Sequence, residues 1–330
     1  MGNRVFDKLA RPEELYRSPI FVFAGDAQAA GGLRGLGSVG RGPQARARNR
    51  AQFQDLCREL SRDGAIDGCL LSPADAEALA VDERFFDGIE VTPLVRTNAE
   101  TWIWSPRHGS YGTATSRPFR TVEPRDAGFC REQICAAQDF NIRLGLYSIT
   151  LNNDVEADLR TLEAYLCYAK EVGRTAGFDH FLEVFLPNTP QHGLSAEEVG
   201  EYVADNIVRT MSYLRKAERP RFIKTAYTSA RVWRELCEFD PTLIIGALGG
   251  PRTDARGTLE LAHNVITNGG RVILFGRAVF EDENPLQMCR ALRAVLDGQD
   301  PLAAYETYRA AVARAAVARA DATGGAAGGD

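Results

Sequence analysis

The sequence predicts a single-domain (β/α)8 barrel, a TIM-barrel α/β fold, and three observations carry that prediction. Eight short apolar runs recur along the chain, amphipathic segments lie between them, and the runs are apolar on successive residues instead of alternating. A strand apolar on both faces is covered on both sides, as in a parallel sheet wrapped by helices. Eight strand–helix repeats over about 250 residues close such a sheet into a barrel. The alternative, an open doubly wound sheet, calls for G-x-G-x-x-G after its first strand; "GDAQAAGGLRGLG" is rich in glycine but lacks that spacing.

In order, the strand runs are "PIFVFAGD" (19–26), "DGCLLSP" (67–73), "VTPLVRTN" (91–98), "IRLGLYSIT" (142–150), "HFLEVFLP" (180–187), "RFIKTAY" (221–227), "TLIIGALGG" (242–250) and "RVILFGRA" (271–278). Helices are expected in segments such as "PQARARNRAQFQDLCRELSRDG", "VEADLRTLEAYLCYAKEVGRT" and "SAEEVGEYVADNIVRTMSYLRKA". In the second of these, Leu159, Leu162, Tyr165 and Leu166 recur at helical spacing and define its expected apolar stripe. No domain linker is visible. The tail "ARADATGGAAGGD" has the composition of a disordered end, so the barrel is expected over 1–318 and a disordered tail over 319–330. Residues 97–124 form a long connection after the third strand, carrying Trp102, Trp104, Arg107, His108 and Tyr111. A connection of that length lines or covers a site, or makes a subunit contact; both readings stay open.

The net charge of −5 and pI near 5.6 argue against a nucleic-acid partner, because phosphate backbones are held by a basic excess. The N-terminus lacks an apolar signal core and a myristoylation pattern, and no run approaches the roughly 20 apolar residues of a membrane span. A cytoplasmic protein without a membrane partner is expected. The seven cysteines form no C-x-x-C and no zinc-ligand spacing; several, Cys69 and Cys167 among them, fall at apolar positions and read as buried reduced thiols. The histidines show no H-E-x-x-H spacing, so neither a metal site nor a cofactor is expected.

In a barrel of this kind the active site lies at the carboxyl ends of the strands. The residues there are Asp26, Arg96, Asn98, Tyr147, Glu183, Lys224, Tyr227, Gly249, Gly250, Gly276 and Arg277. Lys224 stands out, because only four lysines (Lys8, Lys170, Lys216 and Lys224) occur among 39 basic residues. An ion pair with Glu183 or Asp26 would account for a cation there, but arginine serves that role at least as well. Arginine cannot lose its proton and attack a carbonyl, whereas a desolvated lysine can. The Gly249-Gly250 pair precedes a helix with Thr253 or Asp254 as N-cap, and Gly276-Arg277 ends the eighth strand. Loops after strands seven and eight are the recurrent phosphate site of this fold, although a glycine pair alone is also simply a tight turn.

"RFIKTAYT", "GALGGPRT" and "LFGRAVF" together resemble the Schiff-base motifs of the class I aldolases of the archaeal-type fructose-bisphosphate, tagatose-bisphosphate and deoxyribose-phosphate group. "FVFAGDAQ" is similar to the group's first strand with its aspartate, and "FLEVFLPN" to the fifth strand of the tagatose-bisphosphate branch. The resemblance spans roughly residues 18 to 300 in order. It implies Lys224 as the imine-forming residue, Glu183 as proton shuttle and Asp26 as a hydrogen-bonding carboxylate. Tyr147 is expected to orient the carboxylate or the substrate, or else to be a core tyrosine with its hydroxyl at the rim. Arg96, Asn98, Tyr227, Gly249, Gly250, Gly276 and Arg277 are expected to bind substrate or phosphate. The chain departs from the group at Leu248, where a serine is usual, in "DAQAAGG" after the first-strand aspartate, and in lacking the archaeal-type Trp and Tyr of strand five. The expected activity is cleavage or formation of a C–C bond in a ketose or ketose phosphate, in a homo-oligomer as in relatives. Transfer of an acyl or dihydroxyacetone unit through the same imine, and a catalytically silent sugar-phosphate-binding regulator, are the alternatives.

Overall fold

A computed structural model describes residues 2–40, 45–99, 105–129, 141–190, 193–249 and 254–324. Eight parallel strands close into a barrel: β1 (Ile20–Gly25), β2 (Gly68–Leu71), β3 (Thr92–Arg96), β4 (Leu144–Thr150), β5 (Asp179–Phe185), β6 (Ile223–Thr225), β7 (Ile245–Leu248) and β8 (Val272–Phe275). Seven lie within their apolar runs, and β5 begins one residue before its run, at Asp179. Every strand pairs with its chain neighbours, and β8 returns to β1. A separate two-stranded ribbon joins Ser38–Val39 to Arg46–Ala47.

Two apolar cores follow from the alternation of side chains along these strands. Val22, Leu70, Leu94, Leu146, Phe181, Phe222 and Leu274 point inward and fill the barrel, whereas Phe21, Leu71, Val95, Leu182, Ile223 and Phe275 point outward beneath the helices. Helix α1 (Arg4–Leu9) closes the amino end of the barrel: Val5 is wholly buried in the inner core, with Phe6 and Leu9 packed against it. Lys8 donates to Asp67 at 2.9 Å beneath this plug, which gives that lysine a structural role.

Caps written in the sequence start the outer helices. Asn49 and Gln52 form a capping box on α2 (Arg50–Asp63), Asp154 caps α3 (Val155–Val172), and Ser195 with Glu198 caps α4 (Ala196–Ser212). Ser229 caps α5 (Ala230–Phe239), Asp254 caps α6 (Ala255–Thr267), and Asn284 caps α7 (Pro285–Leu296). Of the two cap candidates for α6, Asp254 accepts from the Gly257 amide at 2.7 Å; Thr253 lies outside the described residues. Helix α8 (Pro301–Gly324) continues past residue 318, and 325–330 lie outside the described residues.

Two local expectations change. On α3 the buried face is Thr161, Tyr165, Tyr168, Ala169 and Val172, and Leu159 is 51% exposed. The large aromatic residues set the rotation of that helix, because they bury the most surface against β4 and β5. Cys167 lies on the outward side of the same helix and is exposed, while Cys57, Cys69, Cys237 and Cys289 are buried free thiols. Cys130 and Cys135 lie outside the described residues. Among the described residues no helix is long and apolar enough to cross a membrane.

Candidate active site

The inward positions at the carboxyl ends of four strands bring together a chain of charges. Ser148 on β4 is the register partner of Glu183 on β5, and Glu183 is the partner of Lys224 on β6. All three therefore leave the sheet at one height. One residue pair below them, Phe181 and Phe222 stack at 4.5 Å and form an apolar floor. Gly246 is the next register partner, beside Lys224; a Cβ there would meet the Val272 Cβ at 2.6 Å. This level of the barrel admits no side chain on β7.

Arg96, at the end of β3, joins the site to the first strand. Its Nε donates to Asp26 Oδ2 at 2.5 Å, its Nη1 to Ser148 Oγ at 2.9 Å, and its Nη2 to Glu183 Oε2 at 3.3 Å. The Ser148 hydroxyl donates onward to Glu183 Oε2 at 2.7 Å. On the other side of the carboxylate, Lys224 Nζ makes an ion pair with Glu183 Oε1. The result is an alternating row, Asp26–Arg96–Glu183–Lys224, with none of the four more than 5% exposed. Two negative and two positive groups balance, which is the condition for keeping charges in a low-dielectric interior.

The electrostatics divide the roles. Burial pushes the Glu183 carboxyl up, but Lys224, Arg96 and the Ser148 hydroxyl together hold it below the usual carboxylate range. Burial opposes the charge on Arg96, and the carboxylates of Asp26 and Glu183 more than restore it. Glu183 is thus an ionised carboxylate, with one oxygen on Lys224 and the other fixed by Arg96 and Ser148.

The structure brings Lys224, Glu183, Asp26 and Arg96 together; Asn98, Tyr147, Tyr227, Gly249, Gly276 and Arg277 take other positions. Arg96 is engaged by both carboxylates and also donates to the Asn98 carbonyl at 3.1 Å, so it organises the charge row. Asn98 uses its side chain on the edge of β4: Nδ2 donates to the Ser148 carbonyl and Oδ1 accepts from the Ser148 amide, each at 2.7 Å. Tyr147 faces away from the barrel interior, its ring 4.4 Å from Tyr168 and 5.5 Å from Tyr165 under α3, so it neither orients Glu183 nor reaches a substrate at Lys224. Tyr227 also faces the helix layer, against Trp233 at 5.4 Å, with its hydroxyl accepting from Asn268. Gly249 packs on the Phe275 ring, where a Cβ would sit at 3.3 Å, Gly276 lies against the Ala24 carbonyl, too close at 2.9 Å for a Cβ, and Arg277 is exposed at the rim. Gly250 lies outside the described residues, as do Trp102 and Trp104.

Ser148 is the residue of this charge row that the sequence reading missed. The signal was its even spacing from Leu146 and Leu144, which places it on whichever face they occupy. Among the described residues no group of three His, Cys, Asp or Glu side chains is placed to hold a metal ion.

Solved structures share this architecture. An archaeal fructose-1,6-bisphosphate aldolase, seen with its catalytic lysine covalently bound to the carbinolamine intermediate, aligns at 16% identity over 88% of this chain and 100% of its own, with a TM-score of 0.62. A fructose-bisphosphate aldolase from Slackia heliotrinireducens aligns at 15% identity over 92% of both chains, TM-score 0.65. The fold is that of these class I aldolases. The Corynebacterium glutamicum protein Cgl0159 aligns at 18% identity over 90% of this chain and 98% of its own, TM-score 0.58. No family model and no curated protein matches the sequence.

Proposed function

We propose that the protein is a class I aldolase that cleaves or forms a carbon–carbon bond of a ketose through an imine on Lys224. The observation that supports this most directly is the placement of Lys224 inside the barrel mouth against a buried carboxylate that Lys224, Arg96 and Ser148 together hold ionised. The pairing gives the lysine a proton acceptor. Transfer of that proton frees the amine to attack a ketone carbon, and the carbinolamine so formed loses water to give an iminium ion. The iminium then accepts the electron pair of the breaking C–C bond, once a base removes the proton of the neighbouring hydroxyl. Glu183 is the base within reach of both events. A phosphate on the substrate would meet Arg277 at the rim.

A second reading rests on the same contact. The charge row is complete without a ligand, so the barrel also fits a silent sugar-phosphate binder in which Lys224 only balances Glu183. Borohydride reduction separates the two. Incubation with dihydroxyacetone phosphate, fructose 1,6-bisphosphate or unphosphorylated ketoses is expected to leave a reduced adduct on Lys224, located by peptide mass spectrometry and lost in Lys224→Met. Absence of an adduct with every ketose would abandon the aldolase in favour of the binder. Product analysis then divides cleavage from unit transfer.

A further inference from the structure

Two residues at the end of β3 hold a single serine of β4. The Asn98 side chain clamps both backbone groups of Ser148: Oδ1 accepts from its amide and Nδ2 donates to its carbonyl, each at 2.7 Å. Arg96 holds the side chain, its Nη1 donating to Ser148 Oγ at 2.9 Å. Ser148 and Asn98 are wholly buried. A serine hydroxyl has one hydrogen to give. With the backbone clamped and Arg96 on an acceptor position, that hydrogen goes to Glu183 Oε2 at 2.7 Å. Oε2 also accepts from Arg96 Nη2 at 3.3 Å. Its twin is in a different position. Oε1 is buried and, among the described residues, meets no donor besides the Lys224 ammonium. The carboxylate is therefore asymmetric, with one oxygen occupied by fixed donors and the other left to the lysine.

We propose that Ser148 is a positioning residue: its donated hydrogen bond closes one oxygen of Glu183 and confines proton transfer to Oε1, the oxygen beside the reacting nitrogen. The inference rests on the imine reading of Lys224. Converting an ammonium and a ketone into an iminium ion moves two protons from nitrogen to the departing oxygen, which leaves as water while C=N replaces C=O. Each proton passes through Oε1 in turn, so Glu183 ends the sequence as the carboxylate it was at the start. The same oxygen is then free to take the proton of the substrate hydroxyl as the C–C bond breaks. A proton taken at Oε2 would sit on the side away from the nitrogen and serve neither event. Locking the rotamer of a reacting group through a second layer of hydrogen bonds is how a site keeps its working geometry.

The test compares Ser148→Ala and Ser148→Thr with the unmodified full-length protein, using dihydroxyacetone phosphate and timed borohydride quenching to follow imine formation at Lys224. In Ser148→Ala the saturating rate is expected to fall about 10–100-fold, the worth of one hydrogen bond to a charged group. The half-saturating concentration and the final yield of adduct are expected to hold, because Ser148 touches neither the ketone nor the lysine. Loss of a donor to the ionised carboxylate disfavours that form, so the acid limb of the rate is expected to move to higher pH. Ser148→Thr keeps the hydroxyl and is expected to restore both the rate and the limb. An unchanged rate in Ser148→Ala would overturn the role of Ser148 and leave the imine standing. So would a lower rate with the acid limb unmoved, which marks a general loosening of the site. Failure of the unmodified protein to trap would overturn the imine, and Ser148 with it.

Discussion

Glu183 and Lys224 are register partners on adjacent strands, so their side chains meet inside the barrel without any loop to position them. The contact is set by sheet geometry, not by the loops of the rim. Catalytic placement on strands is more precise than placement on loops, and it makes the consequences of single substitutions readable.

Replacing Glu183 by Gln keeps the shape and removes the proton acceptor. On the proposed aldolase reading, ketose turnover is expected to fall about 10²–10⁴-fold while reductive trapping at Lys224 persists. Steady-state kinetics beside adduct yield gives the comparison, and a variant turning over normally would remove Glu183 from the chemistry.

Arg96→Ala leaves Asp26 and Glu183 facing each other without the cation between them. Breaking a buried ion pair from one side costs about 3–5 kcal/mol, and urea unfolding at neutral pH is the measurement. A loss below 1 kcal/mol (about the worth of an exposed pair) would mean that the row is not needed to hold the carboxylates.

His180, outside the barrel wall, sets the acid side of stability. Burial, aided by the nearby Arg221 charge, pushes its imidazole down to about 3, and its Nε2 lies 3.1 Å from the Tyr165 hydroxyl. The folded chain keeps this histidine neutral while the unfolded chain takes up a proton below its ordinary value of 6.5. Stability therefore falls as pH drops through the window from 6.5 toward 3, by about 1.4 kcal/mol per pH unit once the unfolded histidine is protonated. Urea titrations at pH 7, 6 and 5 are expected to show the decline in the unmodified protein and a flatter course in His180→Gln; parallel courses would assign the acid sensitivity elsewhere.

Arg277→Ala tests the rim. KM for a phosphorylated ketose is expected to rise more than KM for its dephosphorylated analogue, because only the former loses a charge-assisted contact. Equal rises would dissociate Arg277 from the phosphate.

The barrel was legible because eight apolar runs with capped helices between them leave little choice of architecture. Site membership was harder, for a reason visible in β4. Leu144 to Thr150 is buried on both faces, so no polar alternation reveals which residues face inward. Tyr147 looked like the chemical group of that strand, and Ser148 beside it is the one in the site. Tyr227 was avoidable: with Lys224 pointing inward, a residue three positions on points outward if the strand continues. The Arg96 bridge joins residues 70 and 87 positions apart in sequence, a relation that appears only when the sheet closes.

The stopper that α1 places under the strands has a kinetic corollary. A vessel sealed at its base fills and empties through the same doorway, so whatever arrives at Lys224 waits for the previous occupant to leave. On the proposed cleavage reading, the last product to leave would then be the rival for entry, and its inhibition would be competitive with the incoming ketose.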